Sequence, residues 1–562
     1  MVMKKSAQGK RWEIKDRLRV KGERLKVEEI IEKLFANRGL KTKKQKTEFL
    51  KPTDPGKITL SDLKVSPREV RKAVLRLKKA IKDKEKIIIY GDYDADGICG
   101  TAVLWEALYA LGANVLPYIP DRFEEGYGLS TKSVENIKSQ MPNVKLIITV
   151  DNGIVANEAV KTANKLGVDV IITDHHQKGK KTPRTYSVIH TLATSGSGLA
   201  WFLAREVGKS FKGLSFKGGL ELVAIGTIAD QVPLLGINRS LVKYGLSELN
   251  HTQRLGLLSL FNEAGIKSGQ VSPYTVGFMI APRINAMGRL GHAIDSLRLL
   301  CTKNVAKATD LSKILGKTNK ERQRIVEEVV LHARGSVLGG SDKGVIIISH
   351  ESYHEGVIGL AASRLVEEFY RPAIVISRGK DISKASARSI PGVNIIDMIR
   401  STGDLLVSGG GHEMAAGFSI ETAKLDLLAQ KLQELSTHYL TADLLRKTLK
   451  IDLKIDFSQI NRELYKILRE FEPTGMSNPT PTFVSKGVKV EDARLVGADG
   501  KHLKLKLSQE NESFSAIAFG MGEIHPRLKR ESLIDVVYSL EEDNWNGKSG
   551  LQLKIKDVRL KY

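Results

Sequence analysis

The sequence is poor in cysteine and contains no long apolar segment. Its 562 residues include two cysteines, Cys99 and Cys301, which lie far apart in the chain. So few thiols exclude a disulfide framework and a cysteine metal cluster, and they are typical of a reducing cytosol. The charged N-terminal residues lack the apolar core of a signal peptide, and no apolar run approaches the ~20 residues of a membrane span. We therefore expect a cytoplasmic protein with no membrane partner.

Negative charge is scarce relative to positive charge. The chain has 88 Lys and Arg against 64 Asp and Glu, so its formal net charge is +24 at pH 7. This excess favours a polyanionic partner, nucleic acid before a membrane surface, although a generally lysine-rich proteome would produce it as well. The length exceeds what one core can organise and predicts three or four domains.

The patterns along the chain divide it into five regions. Residues 1–84 are basic and mostly helical in pattern, and residues 85–265 alternate β-branched runs with helical spacing, as a parallel βαβ sheet does. Residues 266–335 predict a helical connector that ends in one long helix. A second α/β pattern occupies residues 336–445, and short alternating strands over residues 446–562 predict a small β-barrel.

Three aspartates crowd the stretch KIIIYGDYDADGICG at residues 86–100. The apolar run predicts a buried strand, and Asp92, Asp94 and Asp96 follow its carboxyl end. One interpretation is a solvated acidic turn, since turns collect Asp and Gly. The other is a metal site at the end of a parallel strand, where open α/β sheets bind ligands.

Acidic residues and histidines follow other apolar runs of the same region, which favours the metal site. LIITVDNG, VIITDHHQ and AIGTIADQVPL each predict a strand followed by polar residues, which are Asp151, then Asp174, His175 and His176, then Asp230. Because the ends of parallel strands meet at one edge of a sheet, we expect these side chains in one crevice. Buried carboxylates without counter-charge are costly, so cations are their natural partners.

The ligand types indicate which cations. Mixed carboxylate and imidazole ligands favour Mn²⁺, allow Mg²⁺ and disfavour Zn²⁺ where cysteine is absent. So many ligands suit two ions that share a bridging carboxylate better than they suit one ion.

The same motifs carry a family resemblance. GDYDADG, VDNG, TDHH and GTIAD resemble the four signature motifs of the DHH phosphoesterase superfamily, and SGGGHEMAAG resembles the glycine-rich motif of DHHA1 domains. PDRFEEGYGLS, APRINAMGRLG, SARSIPGVNI and EPTGMSNPTP are similar to stretches of the RecJ family, bacterial 5′→3′ exonucleases specific for single-stranded DNA. This resemblance spans nearly the whole chain. It implies an α/β fold in which a parallel-sheet DHH domain (85–265) and a DHHA1 domain (336–445) are joined by a long helix and followed by an OB-fold barrel (446–562).

The resemblance also implies roles for individual residues. The metal ligands would be Asp94, Asp96, Asp151, His175 and Asp230. His176 would contact the scissile phosphate or complete the metal site, and Asp92 would orient the loop. The residues that grip the substrate would be Arg122, Arg289, Ser386, Arg388 and His412, with Ser386 and Arg388 near the 5′ end of the strand. Arg289 could instead cap a helix, and Arg388 could be an ordinary surface arginine.

One stretch departs from the family pattern. His190 and Thr191 stand where sequences of this family more usually have an Asn-Pro pair. The metal motifs are intact, so the departure concerns a loop near the site rather than the activity. In the tail, Trp545 could stack a base or fill the barrel core.

The sequence thus predicts an exodeoxyribonuclease that releases 5′-mononucleotides from single-stranded DNA by two-metal phosphodiester hydrolysis, in DNA repair and recombination. Mn²⁺ or Mg²⁺ is the expected cofactor, and single-stranded DNA is the expected partner, with a helicase and a single-strand-binding protein to deliver it. The alternative is a DHH–DHHA1 phosphodiesterase that acts on short oligoribonucleotides or cyclic dinucleotides. Such an enzyme would need neither the OB-like tail nor the basic N-terminal region.

Overall fold

The computed structural model describes residues 6–15, 25–211, 216, 218–338, 344–543 and 550–560. The chain forms two compact units. The unit that we call the aspartate unit comprises Thr47–Ile325 and Pro473–Asn478. The other, the barrel unit, comprises Met1–Lys46, Val326–Glu472 and Pro479–Tyr562. None of the helices in the described ranges is both long and apolar enough to cross a bilayer.

The described part of the N-terminal region contains a strand followed by three α-helices. Its elements are β1 (Arg11–Ile14), α1 (Val27–Asn37), α2 (Lys43–Leu50) and α3 (Pro67–Lys82). Helix α3 starts where the Ser66 hydroxyl accepts a hydrogen bond from the Glu69 amide, and it buries Leu77 and its neighbours one turn away. The strand escaped prediction because its partner lies more than 400 residues further along the chain.

A five-stranded parallel sheet organises the aspartate unit and confirms the predicted βαβ pattern. Its elements are β2 (Lys86–Gly91), α4 (Ala95–Ala110), β3 (Val115–Tyr118), α5 (Thr131–Gln140), β4 (Val144–Val150), α6 (Asn157–Lys165), β5 (Asp169–Asp174) and β6 (Ser187–His190). The strand order is β3-β2-β4-β5-β6. Strand β3 lies on one side of β2, and the later strands β4, β5 and β6 lie on the other side, so the strand order reverses at β2. Sheets of this kind bind ligands at such a reversal, which here is the gap between the carboxyl ends of β2 and β4.

Helices complete the aspartate unit. They are α7 (Gly196–Lys209), α8 (Leu220–Ala229), α9 (Gly236–Asn250), α10 (Leu255–Ala264), α11 (Pro273–Thr275), α12 (Ala281–Leu290), α13 (Ile294–Cys301) and the first part of α14 (Val305–Leu338), whose residues from Val326 onward belong to the barrel unit. A π-helical turn, Val276–Ile280, joins α11 to α12. Helices α4, α7 and α8 pack on one another in a core of buried aliphatic side chains, which explains why their sequences are apolar almost all round. The predicted long helix is confirmed as α14.

The first part of the barrel unit is a mixed sheet with helices. Its elements are β7 (Ile346–His350), α15 (Ile358–Phe369), β8 (Ala373–Ser377), β9 (Ile382–Arg388), α16 (Ile395–Arg400), β10 (Leu406–His412), β11 (Ala415–Glu421) and α17 (Leu425–Tyr439). The strand order is β10-β11-β9-β8-β7, in which β7 and β8 are parallel and the other pairs are antiparallel. The glycine-rich strand β10 is therefore an edge strand.

The C-terminal part is a closed barrel, as the alternating pattern predicted. Its elements are β12 (Thr448–Ile451), β13 (Leu453–Lys454), α18 (Arg462–Arg469), β14 (Phe483–Val496), β15 (His502–Gln509), β16 (Glu512–Ala518), β17 (Leu533–Asp543) and β18 (Gly550–Leu560). Strand β14 pairs with both β15 and β17, and this second pairing closes the sheet. Strand β1 pairs in parallel with β12. Trp545 lies outside the described residues.

Candidate metal centre

The polar residues that follow β2, β4 and β5 converge in the aspartate unit. Asp92 and Asp94 follow β2, Asp151 follows β4, and His175 follows β5. These three strands are neighbours in the sheet, so their carboxyl ends lie side by side. The convergence that the sequence predicted for these residues is therefore present in the structure.

Local hydrogen bonds hold the loop that carries the first aspartates. Asp94 caps helix α4, and its Oδ1 accepts hydrogen bonds from the amides of Asp96 (2.9 Å) and Gly97 (3.0 Å). The Ala95 amide donates to Oδ1 of Asn285 on α12 at 2.7 Å. The loop is thus fixed both by its own helix and by α12, a contact that the sequence did not indicate.

Asp96 is held by the start of another helix. Its Oδ2 accepts a hydrogen bond from the Gly196 amide at 2.6 Å, and its Oδ1 accepts from the amide (3.1 Å) and hydroxyl (2.5 Å) of Ser197. The amides at a helix N-terminus favour a carboxylate, because they carry the positive end of the helix dipole. Sequence reasoning missed these two residues, although the run SGSG at a helix start is a signal for anion-binding amides.

His175 lies among three carboxylates. Its Nε2 is 3.0 Å from Oδ1 of Asp151, 3.5 Å from Oδ2 of Asp230 and 3.9 Å from Oδ2 of Asp96. Asp151 has a φ of 65°, a left-handed conformation that aspartate tolerates better than most residues. Within the described part of the chain, neither Asp151 Oδ1 nor His175 Nε2 has a hydrogen-bond partner, although both atoms are buried. Asp151 Oδ1 and His175 Nε2 are therefore two neighbouring ligand atoms without hydrogen bonds, as expected of atoms that bind a cation.

Asp230 reaches this cluster from a helix, and the prediction that it follows a strand is wrong. It is the residue that ends α8, whose sequence LELVAIGTIA is buried on all sides. A short apolar run has the same composition in a buried strand and in a buried helix, so its pattern does not separate the two. The carboxylate nevertheless lies in the predicted crevice.

Asp174 does not point into the cluster but supports it. Its Oδ2 accepts a hydrogen bond from the Ile154 amide at 2.8 Å, and its Oδ1 lies 2.8 Å from Nδ1 of His176. Burial opposes ionisation of both partners, but their hydrogen bond and the attraction between their charges, with further contacts, together outweigh it, lowering the pKa of Asp174 and raising that of His176 to about 9. The other ring nitrogen of His176 lies 3.2 Å from the Tyr127 hydroxyl.

The pair that departs from the family pattern lies beside this site, but His190 is the last residue of strand β6 rather than part of a loop, and Thr191 follows it. Nε2 of His190 lies 2.7 Å from the carbonyl oxygen of His176, within hydrogen-bond distance. The Thr191 hydroxyl donates to the Leu63 carbonyl at 2.5 Å. His190 thus contacts the backbone of the site itself.

The electrostatics of the cluster fit a divalent cation. Burial, followed by neighbouring carboxylates, raises the pKa of Asp92, Asp94 and Asp151, and raises that of Asp230 to about 8. Burial also lowers the pKa of His175, which favours its neutral, ligating form. Three groups of residues have ligand atoms within 4.8 Å of one another: Asp92, Asp94 and Asp151; Asp96, His175 and Asp230; Asp151, His175 and His176. Oxygen and imidazole donors of this kind suit Mn²⁺ or Mg²⁺.

Two of the predicted substrate-binding arginines lie beside the metal loop. The Arg122 guanidinium is 5.2 Å from the centre of the Tyr93 ring. Burial raises the pKa of Tyr93 to about 12, and Arg122 and Arg289 both oppose this shift, which places both cations near that ring. Tyr93 is the residue between Asp92 and Asp94, so both positive charges lie close to the carboxylate cluster.

The other predicted substrate contacts share one face of the mixed sheet in the barrel unit. Strand β11 lies between β9 and β10. Its residue Ala415 lies opposite Arg388 of β9 on one side and His412 of β10 on the other. Two positions along the sheet, Ser386 of β9 lies opposite Gly417 of β11. Directly paired residues in antiparallel strands project to the same face, so these side chains form one surface. Nη1 of Arg388 donates to the Ser386 hydroxyl at 3.0 Å. Gly417 of β11 lies opposite Gly410 of β10, so a strip of the sheet without side chains lies next to Arg388.

A separate cavity of about 1030 Å³ lies at the other end of α4, lined by residues that include Trp105, Tyr109 and Glu248. Helix α4 spans about 24 Å, so this cavity is remote from the aspartates at its first turn. The Arg254 side chain on its wall donates to Glu106 and Glu221. The cavity is therefore no part of the metal centre.

Comparison with known proteins identifies the family. Family models match the chain as a DHH family N-terminal domain over residues 86–227, a DHHA1 domain over 342–437 and a RecJ OB domain over 451–557. The single-stranded-DNA-specific exonuclease RecJ of Bacillus subtilis is 36% identical over 98% of this chain and 70% of its own length. The RecJ of Salmonella typhimurium is 31% identical over 94% of this chain and 95% of its own length.

The fold comparison agrees. The crystal structure of RecJ from Thermus thermophilus in complex with Mn²⁺ has a TM-score of 0.79 and 30% sequence identity, and the match covers 98% of this chain and 80% of that one. The resemblance and the fold class inferred from the motifs are therefore confirmed. The chain belongs to the RecJ family of single-stranded-DNA-specific exonucleases.

Proposed function

We propose that the protein hydrolyses single-stranded DNA from its 5′ end and releases 5′-mononucleotides, in DNA repair and recombination. The observation that carries the proposal is the cluster of buried carboxylates around His175, in a chain of this family. A buried acidic cluster without counter-charge is unfavourable, so the arrangement is understandable as a site for cations that bind a phosphodiester.

We propose two cation sites within the cluster. One would be held by Asp92, Asp94 and Asp151, and the other by Asp96, His175 and Asp230, with Asp151 shared, since it lies 3.0 Å from His175. In this proposal Asp92 would ligate a cation, a more direct role than the orientation of the loop that the family resemblance implied. When bound, Mn²⁺ or Mg²⁺ would supply Lewis acidity toward the phosphate oxygens and activation of the attacking water.

The chain's own residues would position the substrate. Asp174 fixes the His176 ring through Nδ1, which leaves Nε2 free to exchange its contact with Tyr127 for one with the scissile phosphate. Arg122 and Arg289 would offset charge on the non-bridging oxygens. Gly196 and Ser197 would keep Asp96 in place as the phosphate arrives.

The shared face of Ser386, Arg388 and His412 supports a role in sensing the 5′ end. A guanidinium meets the oxygens of a terminal phosphate with two parallel hydrogen bonds, whereas an ammonium would act only as a point charge. The strip beside Arg388 bears no side chains, so a phosphate and sugar can approach the sheet closely.

The substrate class suggests further partners. An enzyme restricted to single strands has no substrate until a duplex is opened, so we propose that a helicase or a single-strand-binding protein presents the strand. The net charge of +24 and the closed barrel support retention of that strand. We therefore propose that the protein acts in the cytoplasm of a bacterial cell.

The test is digestion of DNA and RNA strands with chemically blocked 5′ or 3′ ends, in Mn²⁺ or Mg²⁺. The proposal predicts mononucleotides from single-stranded DNA with a free 5′ end and no products when that end is blocked. Preferential cleavage of RNA di- and trinucleotides or of cyclic dinucleotides would instead establish the alternative phosphodiesterase activity.

A further inference from the structure

Two stacked aromatic side chains are exposed to solvent on the helical segment that contacts the loop of Asp92 and Asp94. Tyr274 is 66% exposed and Phe278 is 68% exposed, the two highest values among the large apolar side chains of the described residues. Their ring centroids are 4.7 Å apart and their planes are inclined by 24°. The pair therefore presents a flat, preformed aromatic surface rather than a single exposed ring.

The backbone holds this pair outward. Phe278 lies in the π-helical turn Val276–Ile280, whose two end residues are fully buried. The turn contacts α8 and α10, so its orientation is fixed by packing. A π-helical turn inserts a residue into a helix, and such turns occur frequently at functional sites. Exposure of Phe278 is thus a consequence of a packed structure and not of a loose end.

The same continuous helix, from α11 through α12, leads to the loop that carries Asp92 and Asp94. At its other end, Asn285 accepts the hydrogen bond from Ala95, and Gly288 lies against Tyr93 so closely that an added Cβ would be 2.8 Å from the Tyr93 carbonyl oxygen. Phe278 and Arg289 are eleven positions apart in the sequence, which is about three turns and about 16 Å of helix. The aromatic pair and Arg289 therefore lie on the same side of one rigid element.

The surroundings favour a nucleobase over a protein partner. The segment before the pair contains exposed polar residues, including Lys267 and Gln270, so it adds no apolar surface to the two rings. A stable protein interface buries about 800 Å² on each partner, far more than two rings supply. Stacking of a base on an aromatic ring needs only the ring and is independent of sequence, as a nonspecific exonuclease requires.

We propose that Tyr274 and Phe278 form a stacking platform for a base of the single-stranded DNA substrate, on the 3′ side of the bond that is cleaved. The inference rests on the proposed function and adds a binding site to it. With nucleotides spaced as in duplex DNA, at about 3.4 Å each, the 16 Å interval corresponds to about five nucleotides from the phosphate near Arg289. An extended strand would reach the platform in fewer.

The test compares two proteins that both carry Asp151→Ala, so that the bound strand is not cleaved. One protein has Tyr274 and Phe278, and the other has the double substitution Tyr274→Ala/Phe278→Ala. The probe is a twelve-nucleotide single strand that carries 2-aminopurine at one position, either within the first five nucleotides or near the 3′ end. The platform predicts that the wild-type pair quenches the label only within the first five nucleotides. It also predicts a Kd about 5- to 150-fold weaker for the double variant.

Three further arms make the result decisive. Phe278→Trp should keep both the quenching and the affinity, because it preserves an aromatic face. Tyr109→Ala is the matched control, since Tyr109 is 62% exposed and stacks on Trp105 at 5.2 Å but lies at the remote end of α4; it should bind like the parent. Unchanged quenching and Kd in the double variant would overturn the platform. Failure of the protein with Asp151 intact to degrade the same strand would instead overturn the proposed function.

Discussion

Substitution of Gly196 by alanine tests whether the tight packing behind the metal ligands is required. A Cβ at this position would lie 2.5 Å from both Cβ and Cγ of Asp151, about 0.9 Å short of an ordinary contact of 3.4 Å. Rotation of the Asp151 side chain cannot relieve the contact with its Cβ, because the backbone fixes that atom, and this backbone is already in the left-handed region. The carboxylate, or the α7 amides that hold Asp96, must therefore move by about 1 Å.

Such a displacement has a calculable effect. A misplacement of about 1 Å at a reacting group costs about 100-fold in rate, which is about 2.7 kcal/mol of transition-state stabilisation. Overpacking should also lower the free energy of unfolding by about 1–3 kcal/mol. The assay is release of mononucleotides from single-stranded DNA at saturating Mn²⁺, with circular dichroism as the check on folding.

The control is Gly335→Ala, because a Cβ on that residue of α14 would meet no atom within 4 Å. It should match the wild type in rate. If a folded Gly196→Ala protein retains activity within threefold of the wild type, the close approach of α7 to Asp151 is not needed for catalysis.

Three other predictions concern charge. For single-stranded DNA, the logarithm of the association constant should fall against log[salt] with a slope of about 0.7 for each phosphate neutralised. If the association constant of the Asp151→Ala protein does not change with salt, the residues responsible for the net charge of +24 do not contact DNA. Arg388→Ala should reduce the preference for 5′-phosphorylated over 5′-hydroxyl strands about ten- to a hundredfold, and an unchanged preference ratio would remove Arg388 from the 5′ site. Burial and then Glu221 raise the pKa of Glu248 to about 7 from its ordinary 4.5, so the folded state binds the extra proton and stability is lost as pH rises between these values. Glu248→Gln should therefore raise the melting temperature more at pH 8 than at pH 4.5, and an equal change at both pH values would contradict this.

The parallel sheet and its ligand residues were predictable because each motif carries its own local signal. A β-branched run followed by an acid or a histidine marks a strand and its end, and the parallel arrangement then brings the ends together. This reasoning placed Asp94, Asp151 and His175 correctly in one crevice. It failed for the element that carries Asp230, since burial on all sides removes the periodicity that distinguishes helix from strand.

What the sequence could not indicate are contacts between segments far apart in the chain. Asn285 holds the loop at Ala95 across 190 residues, and Ser197 holds Asp96 across about 100. Neither residue type signals such a contact by itself. Asp174 illustrates another limit, because it shares the pattern of the cluster residues yet its carboxylate is used to hold His176. Which way a side chain turns at a strand end depends on tertiary packing.

The most direct measurement is the rate of mononucleotide release from single-stranded DNA by Asp151→Ala while Mn²⁺ is titrated. Asp151 belongs to one proposed cation site and lies 3.0 Å from His175 of the other, so its removal disrupts both. Folding should survive, because loss of one acid relieves repulsion in the metal-free cluster. We predict a rate lower by several orders of magnitude at every Mn²⁺ concentration. A near-normal rate in excess Mn²⁺ would contradict the assignment of this cluster as the catalytic metal centre.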